Sequence, residues 1–148
     1  MSHTPAVDTD SGLPTVENLA AIVALVERHG VLFLRYSKGP ASDTGDGRSR
    51  DYESGLELPG LSVTEVSPEP WWTRPVEEWV ARRICKYDEL DDQERYPWLL
   101  TGQPVGFGPD HEPLLQKPRP VARVGTGALH EARRVYEERF DVGQDARS

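Results

Sequence analysis

The sequence predicts one domain of mixed α and β structure, and three observations support this. The chain has 148 residues, of which 36% are apolar, enough for one hydrophobic core but not for two ordinary domains. Glycine and proline contribute 13 residues each, which favours many turns and short elements over a helical bundle. Segments with helical periodicity alternate with runs of β-branched and aromatic residues. We expect the domain over 15–141, with flexible tails over 1–14 and 142–148.

A helix followed by a strand is predicted at the start of this domain. Apolar residues recur at helical spacing over 15–29, Thr15 can act as the N-cap, and Gly30 stands where a terminating residue belongs. The apolar run over 31–36 then predicts a strand.

A polar segment and a second strand come next. The segment 40–55 is rich in serine, glycine and aspartate, and long loops in small domains are either functional or disordered. We expect it to close over a ligand or to meet a target. Alternation after Pro59 predicts a strand within 56–66, on which Ser62 and Thr64 share one face.

The second half of the chain is predicted to contain two helices and several strands. A helix is predicted over 73–90, and two short strands or a bent hairpin over 96–107. The strand over 119–124 is limited to an edge or bulged position by the prolines at its start. The last helix is predicted over 128–140.

Composition excludes several classes of function. The formal net charge of −8 argues against bulk nucleic-acid binding. Cys85 is the single cysteine, which excludes an internal disulfide and favours a cytoplasmic location. The four histidines occur without metal-ligand spacing, so we expect no metal site. No run of about 20 apolar residues indicates a membrane span, and no Gly-x-Ser-x-Gly motif indicates nucleophilic hydrolysis.

Three tryptophans surround the start of the second predicted helix. Trp71 and Trp72 precede it, and Trp79 lies about two turns further on. We interpret them as an apolar plug at the helix entry, with a stacking surface for a planar ligand as the alternative.

Arg35 is unexpected near the end of an apolar strand. A guanidinium stays charged at any ordinary pH, so it either extends from the sheet edge or pairs with an anion. The second possibility would mark a binding site.

Two further polar motifs follow Arg35 along the chain. They are Ser62-Val63-Thr64 on the second strand and Asp110-His111-Glu112 before an apolar run. This order over residues 31–124 resembles the Arg–Ser–Glu class of ADP-ribosyltransferases. The resemblance implies a small split antiparallel β-sheet with about three helices, which binds NAD and transfers ADP-ribose to an acceptor.

The resemblance also implies roles for individual residues. The arginine of this class holds the NAD pyrophosphate, which a guanidinium suits through bidentate bonds. Glu112 stabilises the positive charge that develops on the ribose, Ser62 supports it by hydrogen bonding, and Asp110 positions the acceptor. The cofactor-binding set is Arg35, Tyr36, Ser62 and Thr64, and the catalytic set is Glu112, Asp110 and Ser62.

Two alternatives remain open. In the first, the chain is a non-catalytic acidic interaction module in which Arg35 pairs with Glu57 or Glu65 across neighbouring strands. In the second, it binds a small phosphate compound or nucleotide through Arg35 and does not use Glu112. The chain is also similar, across 50–72 and 108–114, to short stand-alone actinobacterial proteins of unknown function, a resemblance that implies no activity.

Overall fold

The computed structural model describes residues 12–40, 59–90 and 94–140. Within these ranges the chain forms three α-helices and one six-stranded sheet. The strands are β1 (Thr15–Val16), β2 (Phe33–Ser37), β3 (Leu61–Ser62), β4 (Thr64–Glu65), β5 (Tyr96–Phe107) and β6 (Pro113–Val124). The helices are α1 (Leu19–His29), α2 (Val76–Ile84), which continues as a 3₁₀ turn over Cys85–Glu89, and α3 (Thr126–Phe140). The predicted α+β class and the number of helices are confirmed.

The sheet has the order β1-β6-β5-β2-β4, and β3 also pairs with β6. The segment 61–65 pairs with β6 through β3 and with β2 through β4, so the sheet curls back on itself. The sheet is mixed because β1 runs parallel to β6, whereas the other pairs are antiparallel. The small split antiparallel sheet that the resemblance implied is therefore corrected to a curled mixed sheet.

Helix α1 begins later than predicted. Thr15 and Val16 pair with Arg123 and Val124 in the sheet, so they are not available for a first helical turn. The N-cap is Asn18 instead of Thr15, and its side-chain oxygen accepts a hydrogen bond of 2.8 Å from the Ala21 N–H. The predicted end is confirmed, since Gly30 has φ 78° and donates to the Val26 carbonyl.

The chain over 96–124 forms one long hairpin. β5 and β6 have 12 residues each, where the sequence predicted two short strands or a bent hairpin and then a strand over 119–124. Register shifts interrupt the β5–β6 pairing at three places, which lets the strands bend without ending. Pro118 and Pro120 lie between the parts of β6 that pair with β3 and β1, in agreement with the predicted edge position.

Apolar side chains fill both sides of the sheet. The helices cover one side, where the core includes Leu19, Ile22, Leu34, Val80 and Leu99. The curl encloses a smaller cluster of Phe33, Leu61, Val63, Trp98, Leu100 and Leu115. Trp98 is fully buried, and its indole N–H donates to the Ser37 hydroxyl at 3.0 Å, which satisfies a donor that water does not reach.

The tryptophans at the start of α2 have different environments. Their ring centroids lie 5.0–6.1 Å apart in edge-on contacts. Trp79 is 4% exposed, as a core plug requires, whereas Trp71 is 65% exposed. The plug interpretation is therefore right for Trp79, which lies within α2, and wrong for Trp71, which precedes the helix and is mostly exposed.

A buried carboxylate joins α2 to the following helix. Glu78 is 4% exposed and lies 2.7 Å from Arg74 and 2.9 Å from Arg139 of α3. Both arginines are about half exposed, so their charges are solvated by water as well as by Glu78.

Several predicted features lie outside the described residues. They are the loop over 41–55, the C-terminal tail over 142–148 and most of the N-terminal tail. Pro14, at the end of that predicted N-terminal tail, accepts a hydrogen bond of 2.8 Å from the Arg123 N–H. The sheet contact therefore begins one residue before the predicted domain boundary.

Candidate functional site

The six predicted site residues line one cleft of about 380 Å³. They come from β2, from the segment 61–65 and from the turn between β5 and β6. The six are Arg35, Tyr36, Ser62, Thr64, Asp110 and Glu112. The cleft is also lined by Leu34, Val63, Lys86 and Tyr87. Three segments that are distant in sequence are thus brought together at one place on the sheet.

The cleft lies where the segment 61–65 changes its pairing partner. β2 and β4 pair as far as Leu34 and Thr64. At Val63 the backbone N–H turns away and donates to the Pro113 carbonyl of β6 at 3.1 Å. The two strands diverge beyond this point, which opens a gap in the surface of the sheet.

Arg35 spans this gap. Its Nη1 donates to the Ser62 carbonyl at 2.7 Å, and its side chain is half-buried on the cleft wall. A backbone carbonyl oxygen is therefore a partner of the strand arginine, in addition to the anionic partners expected from the sequence. Of the two carboxylates proposed to pair with Arg35, Glu65 accepts from the Ser67 hydroxyl at 2.8 Å, and Glu57 lies outside the described residues.

Glu112 is held by two donors. Its Oε2 accepts from the Ser62 hydroxyl at 2.9 Å, and its Oε1 accepts from the Asp110 backbone N–H, also at 2.9 Å. A half-buried carboxylate with both oxygens engaged has a fixed position and orientation. The predicted support of Glu112 by Ser62 is thus present as a contact.

The turn before Glu112 sets its position. The Gly108 N–H donates to the Glu112 carbonyl at 2.8 Å, and the His111 N–H donates to the Gly108 carbonyl at 3.0 Å. His111 has φ 62°, an uncommon conformation for a residue other than glycine. The Glu112 carboxylate lies directly over Gly108, where no Cβ would fit. The turn therefore requires glycine at 108 to keep the carboxylate in place.

Asp110 and Tyr36 occupy the borders of the cleft. Asp110 is exposed, and its backbone, not its carboxylate, contacts Glu112. The Tyr36 ring stacks on Tyr87 with a centroid distance of 5.4 Å. This stack forms a flat apolar wall beside the polar residues.

Sequence reasoning missed Lys86 and Tyr87 as cleft residues. Both belong to the 3₁₀ turn that follows α2. Tyr87 also contributes to the core and is only 9% exposed. Nothing in the sequence distinguishes Lys86 from other surface lysines.

A family profile decides the classification of the chain. A profile described as a family of unknown function, DUF6098, matches residues 9–147. The chain belongs to this family.

Membership of DUF6098 assigns no activity to the cleft. It agrees with the predicted similarity to proteins of unknown function and provides no link to the ADP-ribosyltransferases. No curated protein and no solved structure matches this DUF6098 chain. The chemistry of the cleft residues is therefore the basis for any role of the cleft.

Neither a metal-ligand cluster nor a membrane-spanning helix occurs in the part of the chain that the structure describes. Over 12–40, 59–90 and 94–140, no three His, Cys, Asp or Glu side chains are grouped so as to hold a metal ion. In the same ranges, no helix of this DUF6098 chain has the length and apolarity needed to cross a bilayer.

Proposed function

We propose that the cleft binds NAD and that the protein transfers ADP-ribose to an acceptor, with Glu112 as the catalytic carboxylate. The observation that carries this proposal is the Ser62–Glu112 hydrogen bond of 2.9 Å in a cleft that also contains Arg35. A cation and an oriented carboxylate are the two groups that NAD cleavage needs, one for the phosphates and one for the reacting sugar.

The reaction follows from the position of Glu112. The bond between the ribose C1′ and the nicotinamide nitrogen breaks, and its electron pair leaves with nicotinamide. The ribose then carries positive charge, which the Glu112 carboxylate stabilises. The acceptor attacks C1′, forms the new bond with its own electron pair, and releases its proton to water. The exposed Asp110 lines the cleft beside Glu112, where it can position the acceptor.

The surrounding surface supports a dinucleotide as the ligand. The cleft of about 380 Å³ shares five lining residues with a neighbouring groove of about 640 Å³. Both volumes fall within the range of about 300–1,000 Å³ for small-molecule sites. The Tyr36–Tyr87 stack offers a ring surface, and the Ser62 carbonyl orients Arg35 on the wall.

A thermal shift with NAD tests binding. A ligand that binds only the folded state at 100 times its Kd adds about 2.7 kcal/mol. For a chain of this size, that stabilisation corresponds to a rise in Tm of roughly 5–11 °C. Absence of a shift at millimolar NAD contradicts the proposal.

Nicotinamide release tests catalysis. We expect Glu112→Gln to keep NAD binding and to lower the rate about 10²–10³-fold, the usual effect of removing one group that stabilises transition-state charge. Glu138→Gln, on the exposed surface of α3, is the matched control and should release nicotinamide at the parent rate. Equal rates in Glu112→Gln and the parent protein would remove Glu112 from catalysis.

The alternative function is a non-catalytic acidic interaction module. Exposed aromatic side chains favour it, since Phe107 is 73% exposed and Trp71 is 65% exposed. It predicts no thermal shift with NAD and no nicotinamide release, so the same two experiments separate the functions.

A further inference from the structure

We infer that Arg83 and Lys86 form a phosphate-binding site in the groove beside the cleft. The groove has a volume of about 640 Å³, and both cations line it. Its apolar lining consists of Val31, Phe33, Val63, Pro104, Phe107 and Pro113. A groove that combines apolar side chains with two cations matches a ligand with a ring and an anionic group.

The two cations lack anionic partners in the described part of the chain. Arg83 and Lys86 make no ion pair and no side-chain hydrogen bond with the residues over 12–40, 59–90 and 94–140. The Arg83 Nε is buried and has no hydrogen-bond partner there. A buried donor without a partner is uncommon in proteins, and a bound ion is one of the explanations for it.

Aromatic rings hold both cations in place. The Arg83 guanidinium carbon lies 5.1 Å from the centroid of the Trp79 ring, and the Lys86 Nζ lies 5.2 Å from the centroid of the Tyr87 ring. Arg83 lies in the last turn of α2, and Lys86 follows three residues later in the 3₁₀ turn. Residues three apart are neighbours on a helix surface, and both side chains line the groove. The pair is therefore arranged before any ligand binds, which lowers the entropic cost of binding.

Carboxylates in the groove determine which anion fits. Glu65 accepts from Ser67, and Glu112 accepts from Ser62, while Glu69 and Asp110 also line the groove. These charges disfavour a free anion. A phosphate that belongs to a nucleotide is favoured, because the rest of the ligand supplies binding energy elsewhere.

Lys86 connects the groove to the proposed NAD site. It lines both the groove and the cleft, as do Val63, Thr64, Asp110 and Glu112. A diphosphate between Arg35 and Lys86 would carry its attached nucleoside along the groove towards Phe107. The nucleotide as ligand rests on the proposed function, whereas phosphate binding by Arg83 and Lys86 does not.

Calorimetric titration with four probes tests the inference. The probes are NAD, ADP, adenosine and inorganic pyrophosphate, and the proteins are the parent, Arg83→Gln, Lys86→Gln and Arg82→Gln. Arg82 is the matched control, since its guanidinium lies 5.7 Å from the same Trp79 ring but it does not line the groove. We expect Arg83→Gln and Lys86→Gln to weaken ADP binding at least tenfold, with adenosine binding unchanged, and Arg82→Gln to change neither more than threefold.

Each outcome bears on a different claim. If Arg82→Gln and Arg83→Gln weaken ADP binding equally, the effect is one of general charge and the proposed phosphate site is refuted. Unchanged ADP binding in Arg83→Gln and Lys86→Gln would also refute the site. If ADP or pyrophosphate binding depends on Arg83 but the protein releases no nicotinamide, the phosphate site is supported and the transfer reaction is refuted. If Arg83→Gln and Lys86→Gln both release nicotinamide with an unchanged KM for NAD, the phosphate site is refuted and the transfer reaction is supported. The Arg83→Lys variant should retain more ADP binding than Arg83→Gln, and melting curves verify that every variant is folded.

Discussion

Replacing Gly108 with alanine displaces Glu112 without removing it. A Cβ at position 108 collides with the Glu112 carboxylate, which sits at the end of a flexible side chain and can move. Gly108 has a negative φ, so its backbone conformation is open to alanine. The expected result is a folded protein in which Glu112 has left its position beside Ser62.

The loss of stability in Gly108→Ala follows from the contacts that Glu112 loses. It accepts two hydrogen bonds of 2.9 Å, from the Ser62 hydroxyl and from the Asp110 N–H. Each contributes about 0.5–1.5 kcal/mol net, so Gly108→Ala should lower the free energy of unfolding by about 1–3 kcal/mol. For a chain of this size, Tm falls about 2–4 °C per kcal/mol, which gives a loss of roughly 2–12 °C in differential scanning calorimetry. Nicotinamide release should fall at least tenfold, as expected when a charge-stabilising group is misplaced.

A double-mutant cycle with Glu112→Ala provides the control. When the carboxylate is absent, the new Cβ meets no obstacle from it, so Gly108→Ala should be neutral or slightly stabilising in that background. Equal losses of Tm in both backgrounds would refute the reasoning, because the cost would then arise from the turn and not from Glu112.

Three other substitutions test the fold around the site. Gly60→Ala places a Cβ 2.8 Å from the Leu115 carbonyl oxygen. Because the backbone can move little, urea denaturation should show that the free energy of unfolding falls by about 1–3 kcal/mol. A decrease below about 0.5 kcal/mol would contradict the close packing of β3 on β6. Asn18→Ala removes the side-chain bond to the Ala21 N–H and should cost about 1 kcal/mol, whereas Asn18→Asp should keep most of the stability. Glu78→Gln leaves two arginines without their charge partner. Because both arginines are about half exposed, the free energy of unfolding should fall by about 1–3 kcal/mol, less than the roughly 3–5 kcal/mol expected when a fully buried pair is broken. An unchanged Tm would show that these ion pairs do not contribute to stability.

Local sequence signals predicted the presence of helices and strands better than the residues at which they begin and end. The helix that ends at Gly30 was correctly predicted because its periodicity and its terminating glycine are both local. Its start was wrong because Thr15 and Val16 pair with Arg123 and Val124, more than 100 positions away. The mixed character of the sheet depends on this same long-range pairing, whereas the antiparallel sheet was implied by the resemblance to the ADP-ribosyltransferases.

That the candidate residues lie close together in space was predictable only from their order along the chain. Arg35, Ser62 and Glu112 each have common structural explanations, but the resemblance in their order placed them together, and they line one cleft. Lys86 was not predictable in this way. The change from α-helix to 3₁₀ turn at Cys85 alters the number of residues per turn, and the helical periodicity expected over 73–90 gives no sign of this change.

The arginine in the strand connects the fold to the proposed site and limits what its substitution can reveal. Arg35 donates to the Ser62 carbonyl where β2 and the segment 61–65 diverge, so its loss removes a contact that joins the two sides of the cleft, whether or not a ligand binds there. Arg35→Gln would then weaken stability and NAD binding together, and the two effects could not be separated. Glu112→Gln and Lys86→Gln are better tests, because the sheet pairing does not depend on either side chain. A loss of function in these variants with little change in Tm would locate the effect in the cleft and the groove, not in the sheet that holds them.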